Sequence, residues 1–174
     1  MIRSICGVAA SVFLLTAVFH VLFKFTNVWI NVSPSLPIGI YQGQRIDMVK
    51  RGDLVLSCIP DIYAHYAYER GYLMHGRCGG NVAPVGKYVA AAGGDFVEIN
   101  SKGIHVNGRW LPDTDVQRQD SNGNILVSNQ VRKTLGDDEI ILANNKLNSF
   151  DSRYFGVVSR HSLIYRIEPL WTVG

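Results

Sequence analysis

The hydrophobic and polar positions divide the chain near residue 25. From Ser4 to Phe23 no side chain is formally charged, with Arg3 before the run and Lys24 after it. Roughly 20 apolar residues rising about 1.5 Å each cross a hydrocarbon core of about 30 Å. The run therefore predicts a transmembrane anchor or signal helix over residues 1–25, with Phe25 and Trp29 suited to the membrane–water boundary. "TAVFHVLFKF" offers large residues where a cleavage site needs small ones, which favours an uncleaved anchor over a removed peptide. On either reading, residues 26–174 form the exported body.

In that body the dominant period is two. In "LPIGIY", Leu36, Ile38 and Ile40 fall on one side of a strand. "RGDLVLSC" reads as a turn running into a buried strand. "GKYVAAAGGDFVEINSKGIHVNGRWL" reads as successive strands separated by glycine, "SKG" and "NG" turns, and "DEIILAN" and "SLIYRIEPLW" supply later strands. "DIYAHYAYERGYL" is poor in β-branched residues and predicts one helix, capped by Asp61 and ended near Gly71. "DTDVQRQDSNGN" is polar and turn-rich, a loop or hairpin tip. The fold class is mainly β with one short helical excursion. Pairing is antiparallel, because such short connections cannot carry parallel crossovers.

Composition narrows the function. A hydrophobic fraction of 47% against 18% charged residues fits a globular core. A net charge of +3, spread without Lys/Arg runs, argues against a nucleic-acid partner. Cys6 lies in the apolar run and reads as an inert small hydrophobe. Cys58 and Cys78 suit a disulfide in an oxidising periplasm, with two buried free thiols as the alternative. No CxxC motif or histidine cluster accompanies them, so no metal or other cofactor is expected.

Chemistry has few candidates. "NVSPSLPIGIY" sets Ser33 and Ser35 on a proline-stiffened turn just past the apolar run, where they are either linker residues or a nucleophile and its neighbour. His65, His75, His105 and His161 sit in unrelated contexts and suggest no Ser-His-Asp arrangement. A lysine base is the alternative. An ordinary lysine, with a pKa of about 10.4, stays protonated at neutral pH, but full burial lowers that value by up to about 3–5 units. Lys87, in "PVGKYVAAAGGD", has apolar neighbours and no acidic residue closer in sequence than Asp95. It reads either as a neutral general base or as an edge-strand lysine snorkelling to water, and the residue alone favours the second.

Four segments, in order, shift that balance. "SPSLPIG", "RGDLVL", "GKYVAAAGGD" and "NSFDSRYFG" resemble the conserved boxes of type I signal peptidases, covering Ser33 to Gly156. The Pro-x-Gly-x-Tyr continuation, the short chain and the Cys58/Cys78 excursion resemble the TraF branch, the conjugative transfer signal peptidases. That resemblance implies a Ser/Lys endopeptidase with Ser35 as nucleophile and Lys87 as general base. It implies that Ser33 and the Ser35 N–H support the oxyanion, that Ser149 orients the lysine, and that Asp151 and Arg153 support the site. It further implies a pilin-like precursor as substrate, a place on the periplasmic face of the inner membrane, and other mating-pair proteins as partners. Three departures stand out: "ANNK" in place of Gly-Asp-Asn-Arg, Tyr88 in place of Arg, and no proline before Gly94. The alternatives are a general type I signal peptidase, which usually keeps Gly-Asp-Asn-Arg, and a non-catalytic pilus or secretion component on the same fold.

Overall fold

A computed structural model describes residues 27–173 together with Phe13, Leu15 and Thr16. The expected anchor over residues 1–25 therefore lies almost wholly outside the described residues. Among those described, no helix is long and apolar enough to cross a membrane.

Eleven strands form two antiparallel sheets among the described residues. The larger has the order β1-β2-β11-β3-β4-β9-β10, built from β1 (Val28–Asn31), β2 (Ile38–Gln44), β3 (Leu54–Ser57), β4 (Val85–Ala91), β9 (Glu139–Ala143), β10 (Val158–Ser159) and β11 (Leu163–Val173). The smaller has the order β7-β6-β5-β8, from β5 (Phe96–Asn100), β6 (Gly103–Val106), β7 (Arg109–Trp110) and β8 (Val131–Thr134). The "NG" turn joins β6 to β7 with both Asn107 and Gly108 at positive φ, as a tight hairpin of that type requires.

The core is continuous across the sheets because β9 is buried on both faces. Ile140 and Leu142 pack with Val55, Val85, Val89 and Phe155, whereas Ile141 and Ala143 pack with Val97, Ile99, Ile104 and Val106 of the smaller sheet. A run of four buried apolar residues is what a strand between two layers needs. Tyr41, Leu56 and Ile167 form a third, smaller cluster under β2 and β11, edged by Trp29.

Two local expectations need correction. Ile38 and Ile40 share one side of β2 and that side is exposed, while Leu36, expected on the same side, lies before the strand and is buried. The inward side of β2 is Gly39, Tyr41 and Gly43, and a Cβ on Gly39 or Gly43 would collide with the backbone of β11 or of Asn27. Close approach of neighbouring backbone, not side-chain hydrophobicity, sets that strand's inner face. The helical excursion is also shorter than the sequence suggests. It consists of a 3-10 turn over Asp61–Tyr63 and α1 (Ala64–Glu69), preceded by Pro60 and with no side-chain cap from Asp61. Gly71, at φ 69°, ends it as expected.

Cys58 and Cys78 are joined by a disulfide with their Cα atoms 5.5 Å apart, fastening both ends of this excursion beside β3. Ala64 and Ala67 press the excursion onto the core cluster that includes Val82 and Val85.

Candidate active site

The six residues between β1 and β2 form a turn that is pinned from four directions. Asn31, buried at the end of β1, donates from Nδ2 to the carbonyls of Ser33 (2.8 Å), Leu36 (3.1 Å) and Pro37 (3.1 Å), and accepts the Ser33 N–H on Oδ1. Tyr41 donates its hydroxyl to Pro37 O at 2.7 Å, and Lys146 Nζ donates to Pro34 O at 2.9 Å. Asn144 Nδ2 donates to Ser35 O at 3.0 Å. Leu36, within the turn, is buried. With its carbonyls so occupied, the turn presents Ser33 Oγ and Ser35 Oγ side by side, 3.0 Å apart.

Lys87 comes from the middle of β4, which is central in its sheet: Val55 pairs with Lys87 on one side, and the β4–β9 ladder lies on the other. It is thus not an edge lysine. Its side chain is buried, with Nζ 2.9 Å from Ser149 Oγ and 3.4 Å from Ser35 Oγ. Gly86 makes this possible, since a Cβ there would strike Leu36 and Trp29 at 2.8 Å and push the serine turn off the lysine strand. Burial lowers the Lys87 pKa to about 8; the Asp151 carboxylate works against that shift and the Arg153 guanidinium adds to it.

The loop after β9 carries the rest. Asp151 caps α2 (Ser152–Phe155) and receives Arg153 Nε and Nη2 in a bidentate pair, both at 2.8 Å and fully buried. The remaining Arg153 donors reach the carbonyls of Lys146, Ser149 and Asp115. Burial is the largest single influence on Arg153 and opposes its charge, but the hydrogen bonds and charge of Asp151, with Tyr154 and Asp115, together outweigh it and hold the pKa above the ordinary value. One guanidinium therefore fixes the backbone on both sides of Ser149, which in turn fixes the amine. Ser152 Oγ accepts the Leu142 N–H at 2.9 Å and ties the same loop to β9.

All six residues that the sequence nominates for chemistry or support thus meet in one place: Ser33, Ser35, Lys87, Ser149, Asp151 and Arg153. None of the four histidines considered lines the cavity beside Ser35. Asn31, Asn144, Tyr41 and Lys146 were not nominated. "ANNK" registered only as a departure, yet two of its side chains hold the serine turn.

A cavity of about 350 Å³ opens beside the two serines, walled by Ile30 and Val32 on one side and by Tyr72, Leu73 and Met74 of the excursion on the other. Gly86 and Lys87 also line it. A hydroxyl touching a buried, weakly basic amine at the edge of an apolar cleft is an arrangement that can supply a nucleophile and a base.

The sequence profile described as signal peptidase, peptidase S26 matches residues 2–171. The chain belongs to that family. Relatives within it include the conjugal transfer protein TraF of Agrobacterium tumefaciens strain 15955, 36% identical over 149 residues, 82% of this chain and 81% of that one. A plasmid transfer protein TraF of Escherichia coli is 37% identical over 146 residues, covering 82% of each chain. Among solved structures, a signal peptidase I from Enterococcus faecalis V583 aligns with 70% of this chain and 98% of its own, at 18% identity and a TM-score of 0.38. Membership of the S26 family makes a peptidase the natural reading of the cleft, and the cluster lies in the segments that carried the signal-peptidase resemblance.

Proposed function

We propose that the chain is a serine endopeptidase at a membrane surface that removes the leader from, or otherwise matures, a pilin-like precursor for conjugative plasmid transfer. The observation that carries this reading is the Lys87 amine, buried and in contact with the hydroxyls of Ser35 and Ser149. The conjugal and plasmid transfer names of its TraF relatives support the conjugation setting.

In this mechanism neutral Lys87 accepts the Ser35 proton while Oγ attacks the scissile carbonyl. The Ser35 N–H and the Ser33 hydroxyl stabilise the oxyanion, each donor contributing about 3 kcal/mol in sites of this kind. Lys87 then protonates the departing amine, leaving an ester on Ser35 that water or another nucleophile resolves. Ser149 keeps the amine aimed through both transfers. Substrates in this reading carry small residues before the scissile bond, as in Ala-x-Ala sites, and Gly86 lines the cleft that would receive them.

The surface next to the site supports a bilayer location. Ile30 pairs with Ile40 and Ile40 with Trp171, so the three stand in one row across β1, β2 and β11, and all are exposed. Val32, Ile38 and Val173 continue the apolar strip toward the serine turn. The apolar run of residues 4–23 enters the chain just before β1, which would bring this strip to the lipid. The Cys58–Cys78 disulfide suits an oxidising compartment.

Two experiments test the proposal. Ser35→Ala and Lys87→Ala should each abolish cleavage of a co-expressed pilin precursor while the near-UV circular dichroism stays native; processing at the native rate by either variant contradicts the dyad. In full-length chain reconstituted into vesicles, brominated lipid should quench a fluorescence component that Trp171→Phe removes and Trp110→Phe does not. Quenching unaffected by Trp171→Phe would place the strip in water.

A further inference from the structure

The β4–β9 ladder starts at the pair Tyr88↔Ala143, and beyond Ala143 the chain leaves the sheet. On that open side of β4, the Gly86 carbonyl and the Tyr88 N–H flank Lys87 and meet a side chain in place of a strand. Asn144 Nδ2 donates to Gly86 O at 3.2 Å and to Ser35 O at 3.0 Å, while Oδ1 accepts the Tyr88 N–H at 3.3 Å. Both amide hydrogens and the carbonyl are thereby used, and the reversed orientation would set an oxygen against two carbonyls. The residue is almost wholly buried, and its own N–H points to Asp151 Oδ2 at 3.4 Å.

We infer that Asn144 is a positioning residue for the Ser35–Lys87 reaction: its carboxamide replaces one peptide unit of a strand and ties the serine turn to both neighbours of the lysine. The inference rests on the dyad reading above. The two reacting groups belong to elements 52 positions apart and touch at 3.4 Å, at the long end for a hydrogen bond. A direct brace between their backbones is Asn144, which reaches Ser35, Gly86 and Tyr88 together. Displacing a reacting group by about 1 Å costs on the order of 100-fold in rate. The resembling Gly-Asp-Asn-Arg pattern has Asp at this position, and a carboxylate has no hydrogen to give the Ser35 carbonyl. The neutral amide of this chain supplies the hydrogens for Ser35 O and Gly86 O that an aspartate there would lack.

The test uses full-length chain in detergent and an internally quenched peptide with Ala-x-Ala before the scissile bond. For Asn144→Ala, kcat should fall about 100-fold while KM stays within about threefold and the folded signal is retained. Asn144→Asp should lose at least as much. It adds a third charge beside Asp151 and Arg153, the charged groups that Lys87 feels, so its pH of half-maximal kcat should also rise. A kcat within about threefold of native in Asn144→Ala, a loss confined to KM, or a loss that only tracks the folded fraction overturns the inference. If Asn144→Ala does not fold, Asn144→Leu, which fills the space but neither donates nor accepts, is judged by the same criteria. Activity in Ser35→Ala would overturn the dyad itself, whereas an inactive Ser35→Ala beside a native Asn144→Ala overturns only the role of Asn144.

Discussion

At the residue scale the decisive property is where Lys87 keeps its proton. With a pKa of about 8, about a tenth of the amine is neutral at pH 7, against roughly one part in 3,000 for an ordinary lysine. Burial is the cause, and it carries a stability cost with a definite sign. Between about 8 and the usual 10.5 the unfolded chain holds a proton that the folded chain lacks, so stability rises with pH across that window. Below about 8 the cost is present in full. For catalysis the expectation is that kcat/KM on the quenched peptide climbs about tenfold per pH unit up to about pH 8 and then levels, as a base needed in neutral form requires. A profile already flat from pH 6 to 7 would remove Lys87 as the base. Ser35 and Lys87 were legible in the sequence only jointly, through segments that gave each other meaning. Asn31 and Asn144 were not, because a side chain whose partners are backbone carbonyls leaves no period or spacing to read.

At the element scale, strands announced themselves wherever turn chemistry was explicit: "NG" before β7, "GGD" before β5 and the apolar "IILA" of β9. Which face of β2 turns inward was not legible, because glycine, not hydrophobicity, marks its inner side. The excursion from Cys58 to Cys78 was visible in outline. What sequence could not tell is that it supplies Tyr72, Leu73 and Met74 as a cleft wall. Tyr72 packs its ring 5.1 Å from that of Phe150 and donates its hydroxyl to Asp120 at 2.6 Å, so the wall is braced from the loop next to Ser149 as well. Replacing Cys58 and Cys78 with Ser should lower stability by about 3 kcal/mol in urea unfolding, by releasing a 20-residue separation in the denatured chain. Because the dyad lies on β4 and the β1–β2 turn, KM should rise more than kcat falls. Equal changes in kcat and KM would show that the disulfide does not hold the wall, and unchanged stability would show that it does not stabilise the fold.

At the scale of the whole molecule, site and apolar strip share the β1–β2 end of the larger sheet. The strip's Ile30 and Val32 also line the cleft, so on the proposed function a precursor held in the bilayer would meet the serines where it leaves the lipid. Mainly-β architecture and antiparallel pairing followed from period-two patterning and short connections. The two-sheet division did not, since the buried strand that joins the layers has the same apolar pattern as any core strand. The central claim is that a buried, neutral amine delivers Ser35 to the scissile carbonyl. Its most direct measurement is peptide mapping by mass spectrometry after full-length chain is mixed with the Ala-x-Ala peptide and quenched in acid during turnover. The account predicts an acyl group on Ser35, present in the native chain and missing from Lys87→Ala. An acyl group on Ser33 or any other residue, or undiminished acylation of Ser35 in Lys87→Ala, would contradict it.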